Sequence, residues 1–310
     1  MAHLKLGPIG AWGHLDSLSV GEARAYARRL EELGYSALWV PETVGREPFV
    51  LLGLLAAETT SLRLGTSIAS IWGHDPQTTR MAALTLAEAT DGRFVLGLGV
   101  SHPHLAQKLR GHTYDQPVRR MRDFLTAYRG AKYRGPAAGE AAEPPVLIAA
   151  LRERMARLAA TEADGGFPYL VTAERVAWMR GVIDAATTDS ASRPMLAVTL
   201  AVVLEADADL GRATARRYLA PYLRTPNYHA SWSAQGFTAA DWEAPGSDRL
   251  VDAMVAWGDG DAIVARVMTM TRAGADHVAL IPLAADGTTE HLPTLEAIAP
   301  SVLAPSVAAS

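Results

Sequence analysis

Polar and aromatic side chains follow many of the apolar segments of this chain, where a strand would end. Glu42 comes shortly after one segment, and His102 follows another. A histidine titrates near neutrality and can exchange one proton with a substrate, while a carboxylate can orient it, assist it or act alone. The other candidates at such positions are Trp12, His14, Thr43, Arg46, Ser67, Ser70, Trp72, His74, Gly99, Ser101, His104, Arg152, Pro168, Tyr169 and Thr172.

The composition removes several other kinds of chemistry. The chain has no cysteine, which excludes disulfides, thiolate metal sites and a cysteine nucleophile. His102 and His104 are two residues apart, a spacing that brings both to one metal ion only in an extended loop, and no helical His-x-x-x-His pair occurs. We therefore predict no metal site.

The charge balance bears on the partners of the protein. With 29 basic and 33 acidic residues the net charge is −4, which argues against nucleic acid and anionic membranes as partners and favours a small molecule. Arg119, Arg120 and Arg122 are interpreted as a solvated helix face or an intersubunit contact. No signal peptide and no apolar stretch of membrane-spanning length is recognised, so we expect a cytoplasmic protein.

Short β-rich segments alternate with amphipathic helical segments along the whole chain. This pattern predicts a single α/β domain over residues 1–310, folded as a (β/α)8 barrel of the TIM type, with its site at the C-terminal ends of the strands. The predicted strands are Lys5–Ile9, Ala37–Val40, Leu62–Ile68, Phe94–Leu98, Val146–Ala149, Gly166–Val171, Leu196–Leu204 and His277–Ile281.

Capping signals bound several of the helices. Ser19 and Glu22 form a capping-box pattern, and that helix ends at Gly34. Asp75-Pro76 predicts the start of a helix that runs to about Ala89, and Asp259 predicts the cap of a helix over Ala262–Ala273 that ends at Gly274. We expect these helices to surround the barrel.

Three stretches interrupt the alternation. Residues 135–145 are rich in Pro, Gly and Ala and predict a flexible connector. Residues 224–248 carry several aromatic residues and predict an insertion between the seventh and eighth strands that acts as a lid or a dimer contact. The tail from Pro300 onward is expected to fray.

Two glycines in the segment Arg93–His102 leave two interpretations open. Gly97 and Gly99 resemble part of a dinucleotide-binding fingerprint, but the third glycine and the helix are missing at the required spacing. Gly97 relieves crowding inside the barrel in one interpretation. In the other, the Gly99–Ser101 backbone approaches a cofactor closely.

Five motifs in order carry a resemblance to a known family. The chain resembles the bacterial luciferase-like flavin and deazaflavin oxidoreductases, and most of all the actinobacterial F420-dependent branch. The motifs are EELGYSALWVPE (31–42), LRLGTSI (62–68), DGRFVLGLGVSH (91–102), ATEADGGFPYLVT (160–172) and GADHVAL (274–280).

This resemblance implies where a cofactor would bind. It implies a cis peptide at Ser67–Ile68 behind the ring, and a phosphate near Ala150–Arg152, where Arg152 either contacts the phosphate or pairs with Glu153 on the surface. The full set of implied cofactor residues is Ser67, Ile68, Gly99, Val100, Ser101, Ala150, Leu151, Arg152, Pro168 and Tyr169.

The chain departs from the sugar-phosphate dehydrogenases of the family. Their acid–histidine pair after the second strand corresponds to Glu42 and Thr43 here, so the histidine is absent at that position. His102 replaces their glutamate after the fourth strand. Oxidation of a sugar phosphate by their mechanism is therefore not expected.

Three functions follow as hypotheses. The first is F420-dependent hydride transfer to or from a C=C, C=N or carbonyl/alcohol group, with His102 and Glu42 as catalytic residues and Trp12, His14, Thr43 and Trp72 in the substrate pocket. The second is an FMN-dependent monooxygenase, and the third is a non-catalytic barrel that binds a cofactor or partner. The resemblance also implies a homodimer formed through helices on one side of the barrel. Apolar helix residues such as Phe49, Leu52, Leu55, Met81 and Leu84 belong either to that surface or to the core that faces the barrel.

Overall fold

A computed structural model of the protein describes residues 6–136, 143–187 and 193–304. Ten parallel strands alternate with helices along the described ranges. The strands are β1 (Ile9–Trp12), β2 (Ala37–Val40), β3 (Arg63–Thr66), β4 (Ala69–Ser70), β5 (Phe94–Gly99), β6 (Val146–Ile148), β7 (Gly165–Gly166), β8 (Met195–Leu204), β9 (Val255–Gly258) and β10 (His277–Pro282).

Eight of these strands form a closed barrel. Their order is β10-β1-β2-β3-β5-β6-β7-β8, and β8 pairs with β10 to complete the ring, with Ala197 opposite His277. β4 adds a short pairing with β5, and β9 pairs only with the last residues of β8. The structure therefore confirms the predicted (β/α)8 barrel.

Helices cover the outside of the barrel. They are α1 (Val20–Leu33), α2 (Pro48–Ala56), α3 (Pro76–Ala89), α4 (Pro117–Gly130), α5 (Glu153–Glu162), α6 (Ala173–Ala186), α7 (Ala208–Leu219), α8 (Pro226–Ser233), α9 (Ala239–Trp242), α10 (Asp248–Met254), α11 (Gly260–Arg272) and α12 (Leu292–Val302). A π-helical turn (Leu105–Leu109) precedes α4, and a 3-10 turn (Tyr222–Arg224) precedes α8. No helix within the described ranges is both long and apolar enough to cross a membrane.

The predicted caps are confirmed. Ser19 and Glu22 form a reciprocal capping box, and Gly34 ends α1 in the left-handed conformation at φ 94°. Asp75 caps α3 by accepting a hydrogen bond from the Thr78 N–H, and Asp259 caps α11 in the same way from Ala262. These local signals depend only on neighbouring residues, which explains why the sequence is sufficient to predict them.

Proline residues explain two wrong strand boundaries. The first strand begins at Ile9 and not at Lys5, which lies outside the described residues, because Pro8 has no N–H to donate to a ladder. The sixth predicted strand ends at Gly166 and not at Val171, because Pro168 cannot continue it. The sequence-based prediction also missed β9, which follows α10 without an intervening turn.

The structure also bears on the three stretches that interrupt the alternation of strands and helices in the sequence. Residues 224–248 form α8, α9 and connecting turns between β8 and β10, which confirms an insertion after the seventh barrel strand. Pro300 lies inside α12, so the tail prediction was wrong up to Val302, whose side chain is buried. Residues 305–310 of the tail and 137–142 of the predicted connector lie outside the described ranges.

Most of the apolar residues proposed for a dimer surface belong to the core. Phe49, Leu52, Leu55 and Leu84 are buried within the chain, and only Met81 of that set is exposed. Val50 on α2 is also exposed. The homodimer stays a prediction, and the four buried residues belong to the core, which is one of the two alternatives that the sequence leaves open.

The inside of the barrel is filled around Trp39. Its indole N–H donates to Nε2 of His277 at 2.9 Å, and the Nδ1–H of His277 donates to the Gly7 carbonyl at 2.6 Å. Phe167 packs edge-on against the indole at 4.8 Å. A side chain at Gly65 would collide with the indole, so this glycine is required by space. Burial lowers the pKa of His277 to about 4, which keeps the imidazole neutral.

This neutral histidine predicts a pH dependence of stability. An unfolded chain protonates the imidazole near pH 6.5, whereas the folded chain does so only near 4. The stabilisation is therefore complete above 6.5 and is lost as the pH falls towards 4, at about 1.4 kcal/mol per pH unit and about 3 kcal/mol in all. The free energy of unfolding of His277→Gln, measured with urea from pH 7.5 to 5, should fall less steeply than that of the wild type.

The matched control is His112→Gln, which replaces an exposed histidine. The control should keep the wild-type pH slope, because carboxylates and the remaining histidines titrate alike in all three proteins. Parallel slopes for His277→Gln and the wild type would contradict the assignment of this pH dependence to His277.

Candidate functional site

A cavity of about 1220 Å³ opens at the C-terminal ends of the barrel strands. It is larger than the 300–1,000 Å³ or so of typical ligand sites, which is room for a large cofactor together with a substrate. Segments after seven of the barrel strands contribute to its wall, and the insertion adds Asn227 and Tyr228. The location agrees with the expectation for barrels of this type.

Most of the residues predicted from the sequence converge on this cavity. The wall includes Trp12, His14, Glu42, Thr43, Ser67, Ile68, Val100, Ser101, His102, Ala150, Leu151, Arg152, Pro168 and Tyr169. Gly99 and Trp72 do not line it. Both lie behind the wall, where they support residues that do.

The two glycines of β5 act through close contacts with β3. Gly97 exchanges two hydrogen bonds with the Thr66 hydroxyl, at 2.7 and 2.8 Å, and a side chain at Gly97 would collide with the Thr66 carbonyl. A side chain at Gly99 would collide with Ile68. Gly99 therefore makes room for a wall residue of the cavity, and Gly97 relieves crowding between strands.

The segment after β3 forms one side of the wall. Ser67–Ile68 is a cis peptide, as the resemblance implies. The Trp12 indole N–H donates to the Ser67 carbonyl at 3.0 Å. Trp72 likewise donates to the Val100 carbonyl at 2.8 Å and packs against Tyr114 at 5.7 Å. The two tryptophans therefore hold the backbone at Ser67, next to Ile68, and at Val100 in the segment after β5.

Glu42 is held by three donors. Its side chain is only 7% exposed and accepts hydrogen bonds from the Ser70 N–H at 2.7 Å, from His74 Nε2 at 3.0 Å and from Arg110. The hydrogen bond to Glu42 raises the pKa of His74 above its ordinary value, against the effect of burial. These contacts anchor the carboxylate and occupy most of its acceptor positions.

Glu42 and His74 form an acid–histidine pair in the structure, although the residue next to Glu42 in the sequence is Thr43 and not a histidine. The histidine comes from the loop after β4 and not from the position next to Glu42. His74 was among the candidates by position, but Arg110 follows a π-helical turn and carried no recognisable signal.

His102 is partly buried and stays neutral. Burial, and next the neighbouring His104, lower its pKa to about 4, well below the unperturbed value near neutrality for which the sequence made it a candidate. Its Nδ1 is inaccessible to solvent and has no hydrogen-bond partner among the described residues. The ring packs against Tyr228 at 5.2 Å and stacks on His104 at 5.8 Å. A neutral imidazole can donate or accept one hydrogen bond at a ligand.

A cluster of tyrosines closes the cavity on the side of the insertion. The Tyr169 hydroxyl is hydrogen-bonded to that of Tyr222 at 3.0 Å and to that of Tyr218. Tyr228 packs edge-on against Tyr222 at 5.3 Å. Burial raises the pKa of all four phenols, so they remain protonated. Sequence reasoning listed Tyr169 and noted Tyr228 in the insertion but missed the other two, which lie in helical segments.

The start of α5 also lines the cavity. Arg152 is its N-cap residue, and no side chain among the described residues caps the helix, which leaves first-turn N–H groups without a side-chain acceptor beside the cavity. Arg152 donates to the Asn227 side chain at 3.1 Å, and Glu153 pairs with Arg157 instead. An uncapped helix N-terminus beside an arginine suits an anion.

Other sequence-based expectations concern metal ions and charged surfaces. In the ranges that the structure describes, no three His, Asp or Glu side chains converge as a metal site would require.

Arg119 and Arg122, interpreted above as a solvated helix face, are indeed exposed on α4, but they also line the cavity.

The Glu42–His74 pair generates a prediction for histidine titration by NMR. In the wild type the His74 pKa should lie above 6.5, because the neighbouring carboxylate stabilises the imidazolium. In Glu42→Gln it should fall below 6.5, because burial and the Arg110 charge remain and both lower it.

Glu47→Gln is the matched control. Glu47 lies 3.8 Å from His74 and is 42% exposed, so its removal should lower the His74 pKa by much less. An unchanged His74 pKa in Glu42→Gln would show that the pair does not form in solution.

Comparisons with known proteins agree with this geometry. The family model described as luciferase-like monooxygenase matches residues 1–277. A Mycobacterium tuberculosis protein named as a coenzyme F420-dependent oxidoreductase is 26% identical over 281 residues, which cover 76% of this chain and 79% of that protein.

Solved structures with the same fold include enzymes for two different cofactors. The F420-dependent tetrahydromethanopterin reductase of Methanopyrus kandleri has a TM-score of 0.75 at 16% identity and covers 96% of this chain and 99% of its own. The 3,6-diketocamphane monooxygenase component of Pseudomonas putida, solved with FMN, has a TM-score of 0.72 at 13% identity, with 98% of each chain covered. Since the family model spans most of the sequence, this chain belongs to the luciferase-like monooxygenase family.

Proposed function

We propose that the protein is an F420-dependent oxidoreductase that transfers a hydride between the deazaflavin and a small organic substrate with a C=C, C=N or carbonyl/alcohol group. The observation that carries the proposal is the lining of the large cavity at the barrel mouth. Its wall combines aromatic side chains and the neutral His102 with a helix N-terminus and arginines. The F420-dependent mycobacterial relative supports the choice of cofactor.

The residues present fit such a cofactor at both ends. Ile68, Val100 and the Ser67 backbone offer a mostly apolar part of the wall that suits a ring system, and Trp12 and Trp72 hold it by hydrogen bonds. The N-terminus of α5 and Arg152 suit a phosphate.

When bound, a deazaflavin supplies or accepts the hydride, and the protein has to position the substrate and exchange one proton. His102 is placed for the second task, because its partly buried, neutral imidazole lines the cavity and can hydrogen-bond to a substrate oxygen or nitrogen and take up or release a proton there. The Tyr169 and Tyr222 hydroxyls can orient the same group. Trp12, Phe167 and Tyr228 exclude water from this end of the cavity.

FMN-dependent oxygenation is the second candidate function. It is favoured by the similarity in fold to the diketocamphane monooxygenase component solved with FMN. The same cavity end that suits one phosphate suits the phosphate of FMN. The two functions therefore differ in which ring system binds and not in the location of the site.

A fluorescence titration of the purified protein with F420 and, separately, with FMN tests the cofactor. Saturable binding of F420, with FMN bound at least about tenfold more weakly, is the expected result. Reduced F420 should then be consumed by a member of a panel of unsaturated, imine and carbonyl compounds.

Tight binding of FMN alone would contradict the proposal and favour the monooxygenase. Binding of neither cofactor would favour a barrel without redox activity.

The proposed role of His102 in proton exchange predicts that its replacement slows turnover without weakening cofactor binding. His102→Ala should lower the rate of hydride transfer by about 10²-fold or more, as loss of a proton-exchanging group does. The dissociation constant of F420 should change by less than about threefold, because the ring and phosphate contacts remain. Stopped-flow absorbance with the substrate found in the panel measures the first quantity, and fluorescence the second.

His112→Ala is the control, since this exposed histidine lies outside the cavity wall. An unchanged rate in His102→Ala would remove His102 from the mechanism. Because burial lowers the pKa of His102 to about 4, a rate profile with a midpoint between pH 6 and 8 would have to come from another group.

A further inference from the structure

Three tyrosine hydroxyls meet beside the cavity. Tyr169 follows β7, Tyr218 lies in the last turn of α7, and Tyr222 begins the 3-10 turn that precedes α8. The Tyr169 hydroxyl is hydrogen-bonded to that of Tyr222 at 3.0 Å and to that of Tyr218. Burial raises the pKa of all three phenols, so each hydroxyl keeps its proton at neutral pH. We call these three residues the tyrosine triad.

A count of protons shows that the triad has one hydrogen bond left to donate. Each neutral phenol can donate one proton and can also accept. The two hydrogen bonds at Tyr169 use two of the three protons, whichever oxygen donates in each of them. Because a buried donor without an acceptor is costly, the third proton needs an acceptor outside the triad.

The third proton belongs to a residue of the cavity wall. Tyr218 is buried and does not line the cavity, whereas Tyr169 and Tyr222 are partly exposed and line it. Tyr218 therefore donates to Tyr169, since the Tyr169 oxygen is the acceptor that the described residues offer it. If Tyr169 then donates to Tyr222, the third proton lies on Tyr222, and if Tyr222 donates to Tyr169, it lies on Tyr169. The donor lies in the wall in both cases.

Aromatic rings surround this donor. Trp12 packs against Tyr169 at 5.7 Å, and Tyr228 packs against Tyr222 at 5.3 Å. Tyr228 also packs against His102 at 5.2 Å, so the donor and the imidazole proposed for proton exchange are neighbours of the same ring. Such a wall suits a ligand with an aromatic body and one polar atom.

We propose that the tyrosine triad donates a hydrogen bond to the oxygen of the substrate, and that the substrate is an uncharged ketone or alcohol with an aromatic body. The inference rests on the proposed function, and it narrows the substrate class given there. The oxygen of a ketone or an alcohol has lone pairs that accept the third proton. A protonated imine or amine offers only donors and an isolated C=C offers no acceptor, so both would leave this proton unmatched.

A carbonyl of the cofactor ring could accept the same proton, and the experiment distinguishes the two sources. The test measures the binding of three probes with one skeleton to the full-length protein by calorimetry at neutral pH. The probes are acetonaphthone, the alcohol that its reduction gives, and the corresponding primary amine, which is protonated at this pH. No cofactor is added, so the probes are not converted.

The wild type should bind the ketone and the alcohol at least about tenfold more tightly than the amine, which corresponds to about one hydrogen bond. In Tyr169→Phe/Tyr222→Phe, which removes both wall hydroxyls, the affinities for the ketone and the alcohol should fall about tenfold. The affinity for the amine should change by less than about threefold, because it does not use the donor. The affinity for F420, measured by fluorescence, should also change by less than about threefold, because the proposal assigns the proton to the substrate.

The matched control is Tyr128→Phe, which removes a buried phenol hydroxyl on α4 outside the cavity wall and should keep all wild-type affinities. Equal affinity of the wild type for the three probes, or no binding of any of them, would overturn the proposal. An equal loss for all three probes in the double variant would also overturn it.

A loss of F420 affinity in the double variant with unchanged binding of the ketone would overturn the proposal and assign the proton to the cofactor ring. If the double variant does not fold, the wild-type comparison of the alcohol with the amine decides. If the wild type binds no F420 but shows the expected preference among the probes, the proposed function fails, whereas the triad is supported as a binding site for an uncharged oxygen.

Discussion

The packing of Trp39 inside the barrel is the constraint on which the rest of the structure depends. The indole fills the space between β2, β3 and β10, and it does so only because Gly65 leaves room and His277 accepts its N–H. A buried indole without a partner would lose a hydrogen bond, and a smaller ring would leave a void. Because the interior is filled at this level, the open volume of the barrel lies at the strand ends, where the cavity is found.

The contacts between β3 and β5 extend this tight packing to the cavity wall. The Thr66 hydroxyl bonds to both backbone groups of Gly97, which fixes the register of the two strands just below the wall. Ile68 then packs into the space that Gly99 leaves, and two tryptophans hold the backbone on either side. The wall segments that follow β3 and β5 are thus held in place by the packing of the strands beneath them. Rigid support of this kind is what precise positioning of reacting atoms requires.

Local and periodic features could be predicted from the sequence, and long-range partners could not. The caps at Ser19, Asp75 and Asp259 and most of the barrel strands follow from residues close together in the chain. His102 was identified by its place after a strand, but its lowered pKa depends on Tyr228 and His104 packing around it. The partners of Glu42 come from two other loops, and one of these loops contains an unusual helical turn. Such contacts arise only when the barrel closes.

The distribution of charge in the cavity connects the fold with the chemistry. At the inner end, burial keeps His102 neutral and the four tyrosines protonated, so this end presents hydrogen-bonding groups without net charge. At the outer end the charges are exposed, where water lowers the cost of keeping them unpaired. The proposed hydride transfer favours a dry site, because water competes for the groups that orient the substrate. Anchoring an anion favours solvated arginines that can reach it. A barrel satisfies both conditions with one cavity, since its strand ends lie deep while its helix termini lie at the rim.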